Sequence, residues 1–121
     1  TVVAPGEILT EVRIPATWAG ATFYFEKVAD RNVWDFALVS IAAALRVEGD
    51  TVRAASMVCG GVACVPHRLG DVERAVSGSA KNAETADRAA ALAARDSKPL
   101  QFNQFKITLM ENLVRRAIRD A

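Results

Sequence analysis

The first half of the chain alternates apolar and polar positions with a period of two, and the second half repeats every three or four residues. In GEILTEVRIP, residues 6–15, Ile8, Val12 and Ile14 take even positions against Glu11 and Arg13 at odd ones, which predicts a strand. Pro15 and Gly20 bracket a turn, and the aromatic, β-branched run TFYFEKV predicts a second strand. Ala37–Glu48 and Thr51–Gly60 flank Gly49-Asp50, a two-residue loop of the Gly-X kind used by type II′ hairpins. An unbroken ladder from that loop sets Glu48 against Thr51, Val47 against Val52, Leu45 against Ala54 and Ile41 against Val58. It also sets Arg46 opposite Arg53, where like charges repel unless the end is solvated or shares an acid. The second face of the hairpin, with Ser40, Ala42, Ala44 and Ala55, is small enough for a helix or another domain to approach closely.

After Gly60-Gly61 and Pro66 the period changes. Leu69, Val72 and Val76 recur at helical spacing, with Gly78 placed as a C-terminal cap. Asn82 can cap a second helix, NAETADRAAALAARD, which is rich in strong helix formers and stopped by Pro99. Asn103 opens a third, whose Met110, Leu113, Val114, Ala117 and Ile118 form one apolar stripe. Its last turns gather Arg115, Arg116 and Arg119, where positive charge suits the helix dipole. Strands followed by helices predict an α+β fold, a small antiparallel sheet of about four strands with three helices on one face.

Composition narrows the function classes. The chain has 121 residues, 51% hydrophobic and 24% charged, which describes one globular domain. A net charge of +1 offers nothing that steers toward nucleic acid or anionic lipid. The longest apolar run, Ala37–Leu45, is far short of the ~20 residues that span a bilayer. TVVAPGE has neither an initiator methionine nor the basic-then-apolar layout of a secretory signal, so an excised or processed chain is expected. Two cysteines, Cys59 and Cys64, carry no disulfide-scaffold signature, and a cytoplasmic location is the default.

Four constellations could carry chemistry. Cys64-Val-Pro-His67 with Cys59 could supply three metal ligands, but a closed zinc site needs four and the usual paired spacing is missing; buried thiols and a loop histidine explain these residues. Cys64 and His67 as nucleophile and base would make a hydrolase, though three residues apart they do not readily face each other. Gly60-Gly61 at a strand end suggests a bulge or a close backbone approach more than a phosphate loop. Lys27, Arg31 and Asp35 recur every four residues, which stacks them on a helical turn or gathers them in a compact loop. A surface ion-pair set explains them plainly, yet Trp34 beside them is an indole that usually has something to cover.

The ordered set GEILTEVRIP, FEKVADRNVWDFALVSIAAALRVEGDTV, MVCGGVACVPHRLGDVERAVSG and PLQFNQFKITLMENLVRRAI resembles the C-terminal domain of the FAD-binding subunit of molybdenum hydroxylases. That family includes xanthine dehydrogenases, aldehyde oxidoreductases and carbon monoxide dehydrogenases. The resemblance covers nearly the whole chain and implies a flavoprotein C-terminal domain over residues 1–121, with the same α+β plan. It implies FAD held mainly by two preceding subdomains, whose glycine-rich phosphate loops this sequence does not contain. This domain would close over the flavin edge. On matching positions it implies that Lys27 reaches the flavin ring, with Arg31 and Asp35 in the adjoining loop; Trp34 joins them as a ring neighbour by our own reading. It implies no catalytic acid or base, and partners in an iron–sulfur subunit with 2Fe-2S clusters and a subunit holding the molybdenum cofactor. Export with such a partner would place the chain in the periplasm. The alternative is a non-catalytic interaction module of the same fold, docking through its small-residue face.

Overall fold

The computed structural model describes residues 2–121; Thr1 lies outside them. Four strands, β1 (Thr22–Val28), β2 (Val39–Glu48), β3 (Thr51–Gly60) and β4 (His67–Arg68), form one antiparallel sheet in that order. Three helices follow, α1 (Gly70–Val76), α2 (Ala83–Ala94) and α3 (Phe105–Arg119). The α+β plan and the single helical layer are as the sequence predicts.

Gly49 takes φ +56° and Asp50 does not share the positive φ, as a Gly-X hairpin requires. Beyond the tip the ladder departs from the unbroken register. Val47 faces Val52, but Arg46 faces Ala54, Leu45 faces Ala55 and Ile41 faces Cys59, so Arg53 is an extra residue in β3. The bulge inverts which parity of β3 points inward: Val52 is buried at the tip, then Ala55, Met57 and Cys59. Ala55 therefore belongs to the core and not to the small face. Arg46 and Arg53 do not oppose each other. Arg53 pairs with Glu48 at 2.8 Å, and the Arg46 guanidinium lies 5.8 Å from the centre of the Trp18 ring.

Residues 6–15 form no strand. Ile8, Val12 and Ile14 are 77–87% exposed, and the alternating pattern has no ladder to join among the described residues. A strand needs a partner for its N–H and C=O groups, and alternation alone does not supply one. The fourth strand is instead the two-residue β4, too short to give a periodic signal.

The helices form where the sequence places them. The Asn82 side chain accepts a hydrogen bond from the Thr85 N–H at 2.9 Å, capping α2. Asn103 lies just outside α3, its Oδ1 accepting from the Leu100 N–H at 2.6 Å. Leu113, Val114, Ala117 and Ile118 of α3 are at most 1% exposed and enclose a core with Val39, Ile41, Leu45 and Met57 of the sheet. Each large aliphatic side chain so buried contributes about 1.5–3 kcal/mol.

One polar group anchors α1 to the sheet. Glu73, 8% exposed, accepts from the Met57 N–H at 2.9 Å and from Arg68 Nε and Nη2 at 2.9–3.1 Å. Its carboxylate thus satisfies an edge N–H of β3 beside the short β4 while gripping β4 itself. Burial raises the Glu73 pKa, but the hydrogen bonds from Arg68 and Met57 outweigh it and leave the group below the ordinary carboxylate value. A depressed folded-state pKa contributes stability that is fully present above the unfolded value, about 4.3, and is lost as pH falls through the folded one. Glu73→Gln is expected to lower stability by about 1–3 kcal/mol at neutral pH. It should also flatten the acid limb of stability, as pH falls from about 5 through the depressed folded value; urea melts across the acid range would check both.

Candidate functional site

Strand β1 alternates cleanly between the two sides of the sheet. Tyr24, Glu26 and Val28 lie on the helical side, opposite Ala43, Ile41 and Val39, while Phe23, Phe25 and Lys27 point to the other. No helix covers that second side. Its rows run Phe23–Ala44–Ser56, Phe25–Ala42–Val58 and Lys27–Ser40–Gly60 across β1, β2 and β3. The last row ends without a side chain, and a Cβ on Gly60 would stand 2.6 Å from Ser40 Oγ.

The connection from β1 to β2 carries the candidate residues. It closes with the Leu38 N–H donating to the Val28 carbonyl at 2.8 Å. Inside it, Lys27 Nζ donates to the Asp35 carbonyl at 2.9 Å, and the Arg31 N–H donates to Asp35 Oδ2 at 2.9 Å. Arg31 Nη2 donates to the Trp34 carbonyl at 3.1 Å and lies 3.9 Å from Asp35 Oδ1. The spacing of four therefore reports a compact loop and not a helical turn. Trp34 sits at φ +54°, a region that costs a bulky residue about 1–3 kcal/mol, and its side chain is 95% exposed. The loop spends its polar groups on fixing its own backbone and turns Val33, Trp34 and Phe36 outward.

The glycine pair supports this arrangement from beneath. At Gly61, φ +76°, a Cβ would lie 2.8 Å from the Leu38 carbonyl oxygen and 3.1 Å from that of Ala37, so the end of the loop rests directly on its backbone. Lys106 Nζ, from the first turn of α3, donates to the Gly61 carbonyl at 2.9 Å. Close backbone approach is what the sequence suggests for Gly60-Gly61, and it is what the structure contains.

The other constellations stay apart. Cys59 is buried and its thiol is pushed up to about 11 by desolvation, while Cys64 is exposed in the turn before β4. His67 faces Cys59 across the β3–β4 ladder but is exposed. Among the described residues no group of three or more His, Cys, Asp or Glu could hold a metal ion. The α3 arginines are spoken for: Arg115 pairs with Asp87 at 2.7 Å, Arg116 with Glu26 at 2.5 Å and Arg119 with Asp120 at 2.7 Å. The Arg116 contact belongs to a tie the sequence does not announce. Tyr24 also donates to Glu26 at 2.5 Å, and its hydroxyl is pushed up to about 12 by burial and by that carboxylate. The available signal is Glu26 itself, a charge on the helical side of an aromatic strand. A cleft of about 430 Å³ between β4, α1 and the end of α2, lined by His67, Arg68, Asp71 and Lys98, includes none of the loop residues. Among the described residues no helix is long and apolar enough to cross a membrane.

Fold and site together define the class: a two-layer α+β domain that leaves one sheet face, and one self-bound loop beside it, open to the outside. The chain belongs to the CO dehydrogenase flavoprotein C-terminal domain family, which matches residues 24–121. It is 28% identical to the carbon monoxide dehydrogenase medium chain of Afipia carboxidovorans, over all of this chain and 43% of that one. It is 30% identical to the aldehyde oxidoreductase FAD-binding subunit of Escherichia coli, over all of this chain and 35% of the subunit. Among solved structures, the reconstituted CO dehydrogenase from Oligotropha carboxidovorans superposes with a TM-score of 0.84 at 27% identity, covering 98% of this chain and 42% of that one. Quinoline 2-oxidoreductase from Pseudomonas putida gives 0.76 at 26% identity, covering 84% of this chain and 37% of that one. The chain thus spans less than half the length of each of these relatives.

Asp35 makes two of the loop's three inner hydrogen bonds, since its carbonyl holds Lys27 and its carboxylate holds the Arg31 N–H. Asp35→Ala is expected to speed amide exchange at Arg31 several-fold while changing global stability by no more than about 1 kcal/mol, because the pairs are exposed. Residue-resolved hydrogen exchange with a parallel urea melt would check both.

Proposed function

We propose that this chain is the C-terminal part, over residues 1–121, of the FAD-binding subunit of a molybdenum-containing hydroxylase, closing over the edge of the flavin. The observation that carries the reading is Lys27, a cation at the end of the bare sheet face whose ammonium is held by the Asp35 carbonyl. Family membership supports it, and so does the fit of the surroundings. The Lys27–Ser40–Gly60 row is flat and small, and the exposed indole of Trp34 stands in the adjoining loop. FAD, held mainly by the preceding part of the polypeptide, would supply the redox chemistry, receiving electrons that a molybdenum-cofactor subunit extracts and 2Fe-2S clusters of an iron–sulfur subunit relay.

In this reading Lys27 and Arg31 act electrostatically. A fixed ammonium favours negative charge added to a neighbouring ring, and Arg31 holds the loop in register through Trp34 and Asp35. Trp34 covers part of the ring, and Asp35 positions Lys27. None of these residues acts as acid or base on the organic substrate, and the isolated domain is inactive. The cytoplasm is the location this reading favours, with the periplasm available to a chain exported with its partner. The bare face also suits a non-catalytic interaction module, and one observation separates the two: the complete polypeptide either copurifies with flavin absorption bands or is colourless.

Lys27→Met in the complete flavin-containing polypeptide is expected to lower the flavin midpoint by tens of millivolts, since about 30 mV corresponds to 1.4 kcal/mol for a two-electron couple. Spectroelectrochemical titration of both forms measures this, and an unchanged midpoint would remove Lys27 from the role.

A further inference from the structure

We propose that the bare face of the sheet, centred on Phe23 and Phe25, is the surface against which the preceding part of the same polypeptide docks. Phe23 and Phe25 are 67% and 71% exposed although they project from a central stretch of β1. Beside them the face is flat, because Ala42, Ala44 and Ser56 are their neighbours across the ladders. Charge is confined to its ends, with Lys27 at one and Arg46 at the other. An apolar centre with charge held to the rim is the make-up of a protein-contacting surface. Burying two phenylalanines contributes about 1.5–3 kcal/mol each, a sizeable share of a small domain's stability.

Three observations choose the occupant. All three helices lie on the opposite side, so no helix of the described chain competes for this one. The connection into β1 arrives on the bare side: Arg46 alternates with Ala44 and Ala42, and Trp18 stands 5.8 Å from its guanidinium. The relatives are more than twice as long as this chain, and the family is a C-terminal domain, so their remaining length precedes the segment that enters here. A second copy is a poorer occupant. Glu48 is the one acid among the strand residues of this face and is taken by Arg53, so the strands offer none to meet the Lys27 and Arg46 of a twofold mate.

The inference rests on family membership and on geometry, and it stands apart from the flavin reading, which the Lys27 midpoint tests separately. Hydroxyl-radical footprinting of the complete polypeptide, purified as a separate subunit, is the experiment. Labelling of Phe23 and Phe25 should fall several-fold between the urea-unfolded and folded states, equally with flavin bound or stripped and at every protein concentration. Phe25→Glu should then raise labelling of Phe23 several-fold while Leu113, buried against the other face, stays protected. Labelling of both phenylalanines that does not fall on folding would overturn the proposal. So would protection that disappears with the flavin, that fades on dilution, or that arises only when the other subunits are added, which would assign the face to the cofactor, to a second copy or to a partner chain.

Discussion

Between Val52 and Ala54 the third strand carries one residue more than its partner, and the two faces of the sheet are sorted around that excess. Without Arg53 as a bulge, Met57 and Cys59 would share a face with Arg53 and look away from the helices, and Ala54, Ser56 and Val58 would be buried in their place. With it, Ile41 meets Cys59, Ala43 meets Met57 and Leu45 meets Ala55, which closes the core beneath α3 and α1. The same shift sends Ala54, Ser56, Val58 and Gly60 outward beside Ala42 and Ser40. A single inserted residue therefore builds the packed side and the smooth side together.

The packed side is held by more than apolar area. At each outer part of the sheet a carboxylate ties strands to helices: Glu26 on β1 takes Arg116 of α3, and Glu73 on α1 takes the Met57 N–H and Arg68. These groups differ in kind. Glu73 replaces a ladder bond at a buried edge, so losing it exposes an unmet N–H. Glu26 joins an exposed arginine to a half-buried tyrosine, a rim contact whose worth is limited by solvent. The sheet is thus fixed firmly to α1 at one side and more loosely to the end of α3 at the other. The loop that follows Lys27 leaves from the looser side, which makes its own internal ties the more necessary.

How much of this could be read in the sequence follows from how local each cause is. The α3 stripe and the Asn82 cap are legible because a helix satisfies its own backbone, so spacing and caps suffice. The hairpin tip is legible for the same reason, as Gly49-Asp50 carries its own turn chemistry. Residues 6–15 mislead because alternation is only half of a strand, and the other half is a partner that the pattern does not contain. The bulge was present as a change of parity, from Val52 to Met57 and Cys59, but a two-residue turn argues for an unbroken ladder and hides it. In the candidate site the spacing of Lys27, Arg31 and Asp35 brings the right residues together. What spacing cannot show is that main-chain groups make most of the ties: the Asp35 and Trp34 carbonyls and the Arg31 N–H leave no trace in side-chain identity.

That distinction bears on why such a short connection carries so many charges. Charges placed to meet each other alone would gain little at an exposed site. Here they are turned on the backbone, and the result is a loop whose conformation is set before anything contacts it. A residue such as Trp34 can be kept at positive φ only if the surrounding bonds over-determine it. Pre-setting the loop lowers the ordering cost of a later contact, so the ammonium of Lys27 and the indole of Trp34 are presented without being used up. The smooth sheet face beside them has the same character, since strands fix Phe23 and Phe25 before any partner arrives. Loop and face are therefore two parts of one surface, rigid from behind and unfinished in front.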